Sequence, residues 1–295
     1  MREFPCPSLA ERTTLHLGGN AIAELGLEAV GDLDMLPERL RALGGKPFIL
    51  GEGSNILAQD GQLPLVLVRP HYAQGPDMTE GERGEVFVRV GAGMPMARLL
   101  HFCLKNSLSG LEGLVGIPGT AGGCIAMNAG SFGTETAKCL HNIKITSGDN
   151  IKTVPAAEAE FSYRTFSIPE EKNNFIILEA TFVLTKSERD AICKRMFYNF
   201  FEKKSKQPLT CWSAGCIFKN PVPQAPAGRL LEKAGFKGKR RGGVAFSNLH
   251  ANFLINEGQG SADAALDMIE DARATVLQRF GIKLSLEVKI IPCCP

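Results

Sequence analysis

The chain has 295 residues, 44% hydrophobic and 22% charged, with 33 basic against 31 acidic side chains. That length exceeds the usual single-domain size, and a formal net charge of +2 gives little electrostatic reason to expect nucleic acid or an anionic membrane as partner. Apolar runs such as "LPLVLV" are far too short to cross a bilayer, and "MREFPCPSLAERTTLHLGG" holds no signal-peptide core, so a cytoplasmic protein is expected.

In chain order, Leu36, Leu40 and Leu43 recur at helical spacing until Gly44 and Gly45 stop the run, and "PFIL" then reads as a short buried strand. The turn "GEGSN", Gly51 to Asn55, leads through "QDGQ" into a second strand, "LPLVLV". A GxG after a strand suggests a dinucleotide-binding turn, but the third glycine and the following helix are missing, so the Rossmann reading fails. No GxxxxGK[ST] occurs to make a P-loop. "EVFVRVGAG" is a further strand, and "MPMARLLHFCLKNS" a helix with Met96, Leu99, Leu100 and Cys103 on one face.

The next stretch, "GLVGIPGTAGGCIAMNAGSFG" from Gly113, is too apolar for a flexible linker and too rich in glycine for a packed helix or strand. Strands resume at "NIKITSG" and "NFIILEATFVLT". With Ser187 as N-cap, "SERDAICKRMFYNFFEKKSK" reads as a helix ended by a polar turn. The last helix is predicted from an N-cap at Ser261 to Phe280, with Ala265, Ile269, Ala272, Val276 and Phe280 on one face and Gly281 as its stop. The expected class is α+β.

Nine cysteines with no CxxC pair, and no export signal, predict thiols rather than disulfides. No zinc site is expected, because none of the five histidines stands at ligand spacing from another histidine or a cysteine pair. Cys293 and Cys294 read as a frayed terminus. "KGKRR", Lys237 to Arg241, reads as a solvated loop.

Backbone amides hold a diphosphate well when no Cβ keeps the anion at a distance, and successive amides in a turn form an anion-holding concavity. Gly51-Glu52-Gly53-Ser54-Asn55 and the loop through Gly116, Pro118, Gly119, Thr120, Gly122 and Gly123 are both built that way. Either alone is a tight turn. Together, with apolar residues between the second set of glycines, they point to a large planar cofactor that carries phosphate.

"LGEGSNIL", "GLEGLVGIPGTAGGCIAMNAGSFG", "FSYRTF", "SAGCIFKNP", "AGRLLEKAGFKGKRRGG", "HANFLIN" and "LEVKII" follow one another in the order found in the UDP-N-acetylenolpyruvoylglucosamine reductase family, which the chain resembles from about Thr13 to Ile291. The resemblance implies a vanillyl-alcohol-oxidase-type (PCMH-type) FAD-binding half of two subdomains, residues 1–70 and 71–186, and a C-terminal α+β substrate domain over 187–295. It implies bound FAD and NADPH as co-substrate, in the reduction of an enolpyruvyl group to give UDP-N-acetylmuramate. The short stretch after Arg164 resembles the branch of the family without a substrate-covering insertion there.

The resemblance also assigns roles. Arg164 matches the arginine that holds the substrate carboxylate, Cys216 occupies the proton-donor position, and Glu287 matches the terminal acidic residue. Asn220 and Tyr163 match substrate contacts, although the Tyr163 ring by itself reads as packing, as does Trp212. Hydride addition β to a carboxylate pushes charge onto that carboxylate, where a guanidinium can hold it through paired hydrogen bonds. A positioned acid must then protonate the adjacent carbon. Many relatives use serine there, and a thiol is a far stronger acid than an aliphatic hydroxyl.

Read without the resemblance, the same residues look ordinary. Strict alternation in "IKLSLEVKII" puts Glu287 on a solvent face, Cys216 is a small buried apolar residue, and Arg164 pairs with a carboxylate such as Glu160. His250 and Asn252 of "HANF" read as structural hydrogen-bonding residues. Two other functional classes stay open: another FAD oxidase of the same fold acting on a different substrate, and a small-ligand-binding protein without chemistry.

Overall fold

The computed structural model describes residues 1–147, 150–171, 175–221, 223 and 225–292; Cys293 and Cys294 lie outside them. The chain divides into two compact units. The first comprises Met1–Glu3, Leu25–Gly51 and Leu67–Lys203, the second Phe4–Glu24, Glu52–Val66 and Lys204–Pro295.

In the first unit an antiparallel sheet runs in the order Asn150–Pro155, Leu140–Ser147, Ile176–Lys186, Glu85–Gly91, Asp77–Glu80, with Leu108–Ser109 also paired to Ile176–Lys186. Period-two alternation sends Val86, Val88 and Val90 of one strand and Leu178, Ala180, Phe182 and Leu184 of its neighbour into the core. The helix Met96–Lys105 buries Met96, Leu99, Leu100 and Cys103, the face its spacing predicts. Leu36–Leu43 is helical and ends on Gly44 at φ 69°, a left-handed cap that favours glycine. Lys46–Ile49 is a strand, but it stands at the end of its sheet and Ile49 is 45% exposed, so the expectation of a buried strand is corrected.

Two further expectations change. The helix after Ser187 spans Arg189–Lys206, and its first bond runs from the Ile192 amide to Glu188 O, so Glu188 takes the cap position while the Ser187 amide donates to Ser107 O. Inside the glycine-rich stretch, Ala121–Ala126 is a helix despite Gly122 and Gly123. Its packing explains the composition: a Cβ on Gly122 would lie 2.9 Å from the Ala92 Cβ.

The second unit carries an antiparallel sheet in the order Trp212–Cys216, Phe253–Asn256, Val244–Phe246, Arg240–Arg241, and a parallel pair, Lys289–Ile291 with Ile56–Ala58. Ala262–Phe280 lies against its core through Ala265, Met268, Ile269, Ala272 and Val276, all fully buried. Ser261 Oγ accepts from the Ala264 amide at 3.1 Å, and Gly281 ends the helix at φ 68°. A fourth sheet has the order Arg2–Pro5, Asn20–Leu27, Gln62–Pro70, Lys46–Ile49.

Candidate active site

In the first unit the glycine-rich loop begins with a turn over Glu112–Leu114, passes Gly116 at φ +76° and Gly119 at φ +141°, and enters the helix at Thr120. Thr120 Oγ1 caps the helix by accepting from Gly123 N at 3.2 Å. The Ala121 amide donates to Met94 O and the Gly122 amide to Ala92 O, so all three of these amides are bonded within the chain. The expectation that Gly122 and Gly123 lend amides to an anion is therefore corrected: what they contribute is the absence of a side chain. Gly51 meets this loop directly, since a Cβ there would lie 3.0 Å from Thr120 Oγ1.

Two buried charges hold the start of the loop. Glu112 accepts from Ser109 Oγ, the Gly110 amide and Arg195, at 2.8, 2.8 and 2.7 Å. Burial pushes its carboxyl up, but the hydrogen bonds from Arg195, Gly110 and Ser109 outweigh that and leave it below the usual carboxylate range. Lys203 Nζ, on the helix Arg189–Lys206, donates to Gly113 O at 3.0 Å and Val115 O at 2.5 Å. Burial pushes this ammonium down to about 8, against the Cys124 thiol and with the neighbouring Arg164 charge. The sequence reading missed Lys203; two adjacent lysines late in an amphipathic helix carry no sign of which one is buried.

Arg164 sits in the two-residue turn of the hairpin Glu160–Ser162 and Thr165–Ser167. Its φ of +57° is in the left-handed region, which an arginine occupies only when its surroundings impose it. Asn128, 3% exposed, supplies part of that constraint by donating to Ser162 O and accepting from the Ala137 amide. The guanidinium donates to Gly130 O at 2.9 Å and lies 5.1 Å from the centre of the Tyr163 ring. Glu160, offered as an ordinary partner, instead accepts from Ser167 Oγ. Tyr163 is 48% exposed, so it is no core packing residue.

The second unit brings together Gly53, Asn55, Cys216 and Glu287. Gly53 must be glycine because a Cβ would lie 2.4 Å from Arg12 O, and its φ is +65°. Its carbonyl accepts from the Thr14 amide, and Thr14 Oγ1 donates to Ser213 O at 2.7 Å. Glu52 is exposed and Ser54 partly so. Asn55 Nδ2 donates to Glu287 O at 3.0 Å, and the Lys289 amide donates to Asn55 O. The Glu287 amide in turn donates to Ile217 O at 2.8 Å, next to Cys216. Glu287 is half-buried rather than on a solvent face, although Ser285 and Lys289 on either side of it are exposed as the alternation predicts; the Ile217 and Asn55 segments bond its amide and its carbonyl.

Cys216 ends its strand after a register shift between Ser213 and Cys216, where two residues, Ala214 and Gly215, oppose Leu254 alone. Gly215 takes φ +75° there with no atom within 4 Å of where its Cβ would be. Such a bulge re-aims the side chain that follows it. Ala214 is 1% exposed while Cys216 is partly exposed, so the thiol is not the core residue that composition suggests. A glycine directly before a polar residue in an otherwise strand-like run was the available signal.

Asn220 Oδ1 accepts from the Ala227 amide at 3.0 Å, at the start of the helix Ala227–Lys233. Three of the four basic residues in the run pair with acids, Lys237 with Glu232, Arg240 with Glu257 and Arg241 with Asp271, and Lys239 Nζ lies 4.3 Å from the centre of the Phe236 ring. Among the described residues no group of side chains could hold a metal ion, and no helix is long and apolar enough to cross a membrane.

Residues 207–291 match the family model described as the C-terminal domain of UDP-N-acetylenolpyruvoylglucosamine reductase, and residues 39–150 match an FAD binding domain. The reductase of Nitratidesulfovibrio vulgaris is 48% identical over 97% of both chains, and that of Oleidesulfovibrio alaskensis 47% identical over 97% of both. The chain belongs to the UDP-N-acetylenolpyruvoylglucosamine reductase family. The crystal structure of the reductase from Thermus caldophilus superposes with a TM-score of 0.81 at 32% identity, covering 99% of this chain and 100% of that one. The fold is accordingly α+β, with an FAD-binding domain followed by the reductase family's C-terminal domain.

The residues fit the family's cofactor. The face of Gly51 left bare toward Thr120, where a Cβ would crowd the hydroxyl, joins two turns of the FAD-binding unit. Gly116 and Gly119 add positive-φ turns of the kind whose peptides can face an anion, and at Gly116 the missing Cβ leaves room for the Phe200 ring, 3.2 Å from where it would lie.

Proposed function

We propose that this chain uses NADPH to reduce the enolpyruvyl group of UDP-N-acetylglucosamine enolpyruvate to UDP-N-acetylmuramate, for peptidoglycan synthesis in the bacterial cytoplasm. The single observation that carries the reading is full-length kinship with reductases of that name, at 48% identity. The proposed organisation is a first FAD-binding subdomain over 1–70, a second over 71–186 and a substrate domain over 187–295. Gly51, Glu52, Gly53, Ser54, Asn55, Gly116, Pro118, Gly119 and Thr120 form the proposed cofactor set, to which Gly122 and Gly123 contribute missing side chains rather than amides. Bound FAD supplies the two-electron carrier between NADPH and the substrate.

The chain's own residues do the rest. Arg164 holds the substrate carboxylate as charge builds on it, and its strained turn keeps the guanidinium presented without reorganisation at the moment of reaction. Cys216 gives its thiol proton to the carbon next to that carboxylate while the other carbon of the double bond gains hydride, so the double bond is consumed and a thiolate remains to be reprotonated. Glu287 polarises the developing enol, and Tyr163 and Asn220 contact the nucleotide sugar. Asn220 Oδ1 is taken by the Ala227 amide, and its carboxamide still carries two donors for that contact.

Anaerobic mixing of the FAD-loaded protein with NADPH tests the reading: the flavin absorbance bleaches, and UDP-N-acetylglucosamine enolpyruvate restores it. A flavin that oxygen reoxidises but this substrate does not would favour an oxidase of the same fold.

A further inference from the structure

Phe218 follows the candidate proton donor by two residues, where the strand Trp212–Cys216 has ended and the chain still has to pass through the core, for Ile217 and Phe218 are both fully buried. On one side this segment is held by the residues around Glu287: the Glu287 amide donates to Ile217 O and the Lys219 amide to Ser285 O, an antiparallel bridge centred on Phe218 and Leu286. In such a bridge the N–H and C=O of the central residue point the other way. Among the described residues no strand pairs with Phe218 on that side. Asn252, 2% exposed, does: its Oδ1 accepts from the Phe218 amide at 3.0 Å and its Nδ2 donates to Phe218 O at 2.8 Å.

The carboxamide thus acts as a one-residue substitute for the missing strand, reproducing a peptide's donor and acceptor. The Asn252 backbone is fixed too. Its carbonyl accepts from the Ile217 amide at 2.8 Å, and its own amide donates to His250 Nδ1 at 3.2 Å. Burial pushes His250 down, which favours the neutral ring that accepting this bond requires. A side chain that bonded only once would leave the segment free to twist about the bridge, and with it the peptide joining Cys216 to Ile217.

We propose that Asn252 is a positioning residue for proton delivery: its buried carboxamide fixes Ile217–Phe218 and so sets the direction of the Cys216 thiol relative to Glu287. This deepens the proposed reductase reading and rests on it for the meaning of the thiol, although the positioning itself can be read without turnover.

The test uses FAD-loaded N252D and N252S. N252D keeps the acceptor and loses the donor, and N252S offers a single shorter hydroxyl. In both, the rate of iodoacetamide alkylation at Cys216, mapped by mass spectrometry and divided by the rate at exposed Cys193 in the same sample, is expected to change at least about threefold. Anaerobic reduction by NADPH should remain within about twofold of wild type, while reoxidation by substrate slows roughly 10- to 100-fold with KM nearly unchanged, the size expected when a reacting group is misplaced by about an ångström. In a C216A background, adding N252S should slow reoxidation no further. An unchanged Cys216-to-Cys193 alkylation ratio in both variants would overturn the inference, as would equal slowing of the two half-reactions. If C216A alone reoxidises normally, the donor assignment fails, and a changed alkylation ratio still upholds the positioning. Should one variant fail to fold, the other carries every arm.

Discussion

Gly122 and Gly215 look alike in the sequence, each a glycine that follows an alanine and precedes a cysteine by no more than two residues, yet they are glycine for opposite reasons. Gly122 has ordinary helical geometry and lacks a Cβ because Ala92 already fills the space. Gly215 has open space around it and lacks a Cβ because its φ is +75°. The first glycine lets two pieces of backbone come close, and the second turns the chain so that the next side chain is aimed. The same contrast holds for the groups they serve: the first unit presents a long charged side chain at a strained hairpin tip, whereas the second presents a short thiol at a bulge.

The largest expected effect is on the charged side chain. Arg164→Ala should slow substrate-dependent flavin reoxidation by about 10²- to 10³-fold, the loss typical of a donor that stabilises developing charge. Arg164→Lys should recover little of it, because an ammonium cannot reproduce paired guanidinium bonds. Stopped-flow measurement of both half-reactions checks this, with NADPH reduction expected to stay near wild type.

The two glycines should then part. Gly122→Ala gains at most about 1 kcal/mol of helix propensity but forces a Cβ to 2.9 Å from Ala92, an overpacking of about 1–3 kcal/mol, so a net loss of stability is expected in denaturant melts. Gly215→Ala meets no atom and should cost only about 1 kcal/mol for its left-handed backbone, while turnover falls about tenfold as the thiol is re-aimed. Equal effects of the two on stability and turnover would dissolve the contrast between them.

The smallest effect concerns Lys203. Its folded value of about 8 lies below the ordinary 10.5, so between those pH values the unfolded chain binds the extra proton and stability rises with pH. Lys203→Met should remove that upward slope from urea melts taken across the range. It should also destabilise the protein near neutral pH, since the carbonyls of Gly113 and Val115 lose their buried donor.

Much of this was legible in the residues. The last helix shows its cap, buried face and stop directly, because Ser261, the repeat of Ala265, Ile269, Ala272 and Val276, and Gly281 all act locally. Met96–Lys105 is equally plain. What stayed hidden depends on partners distant in sequence. Glu287 leaves its expected solvent face because Ile217, some 70 residues earlier by number, takes its amide. The helix Ala121–Ala126 tolerates two glycines because of Ala92, and the burial of Lys203 rests on carbonyls at Gly113 and Val115. Local periodicity carries no trace of those partners. The seven ordered motifs did convey the family, and the proposed roles for Arg164, Cys216 and Glu287 follow from that kinship, since spacing alone would have assigned these residues to surface or core.

The most direct test of the account is single-turnover reoxidation of NADPH-reduced C216A by the enolpyruvyl substrate under anaerobic conditions. A rate at least about 10²-fold below wild type is expected, with C216S keeping much of the activity and the NADPH step unchanged in both. Reoxidation of C216A at the wild-type rate would contradict it.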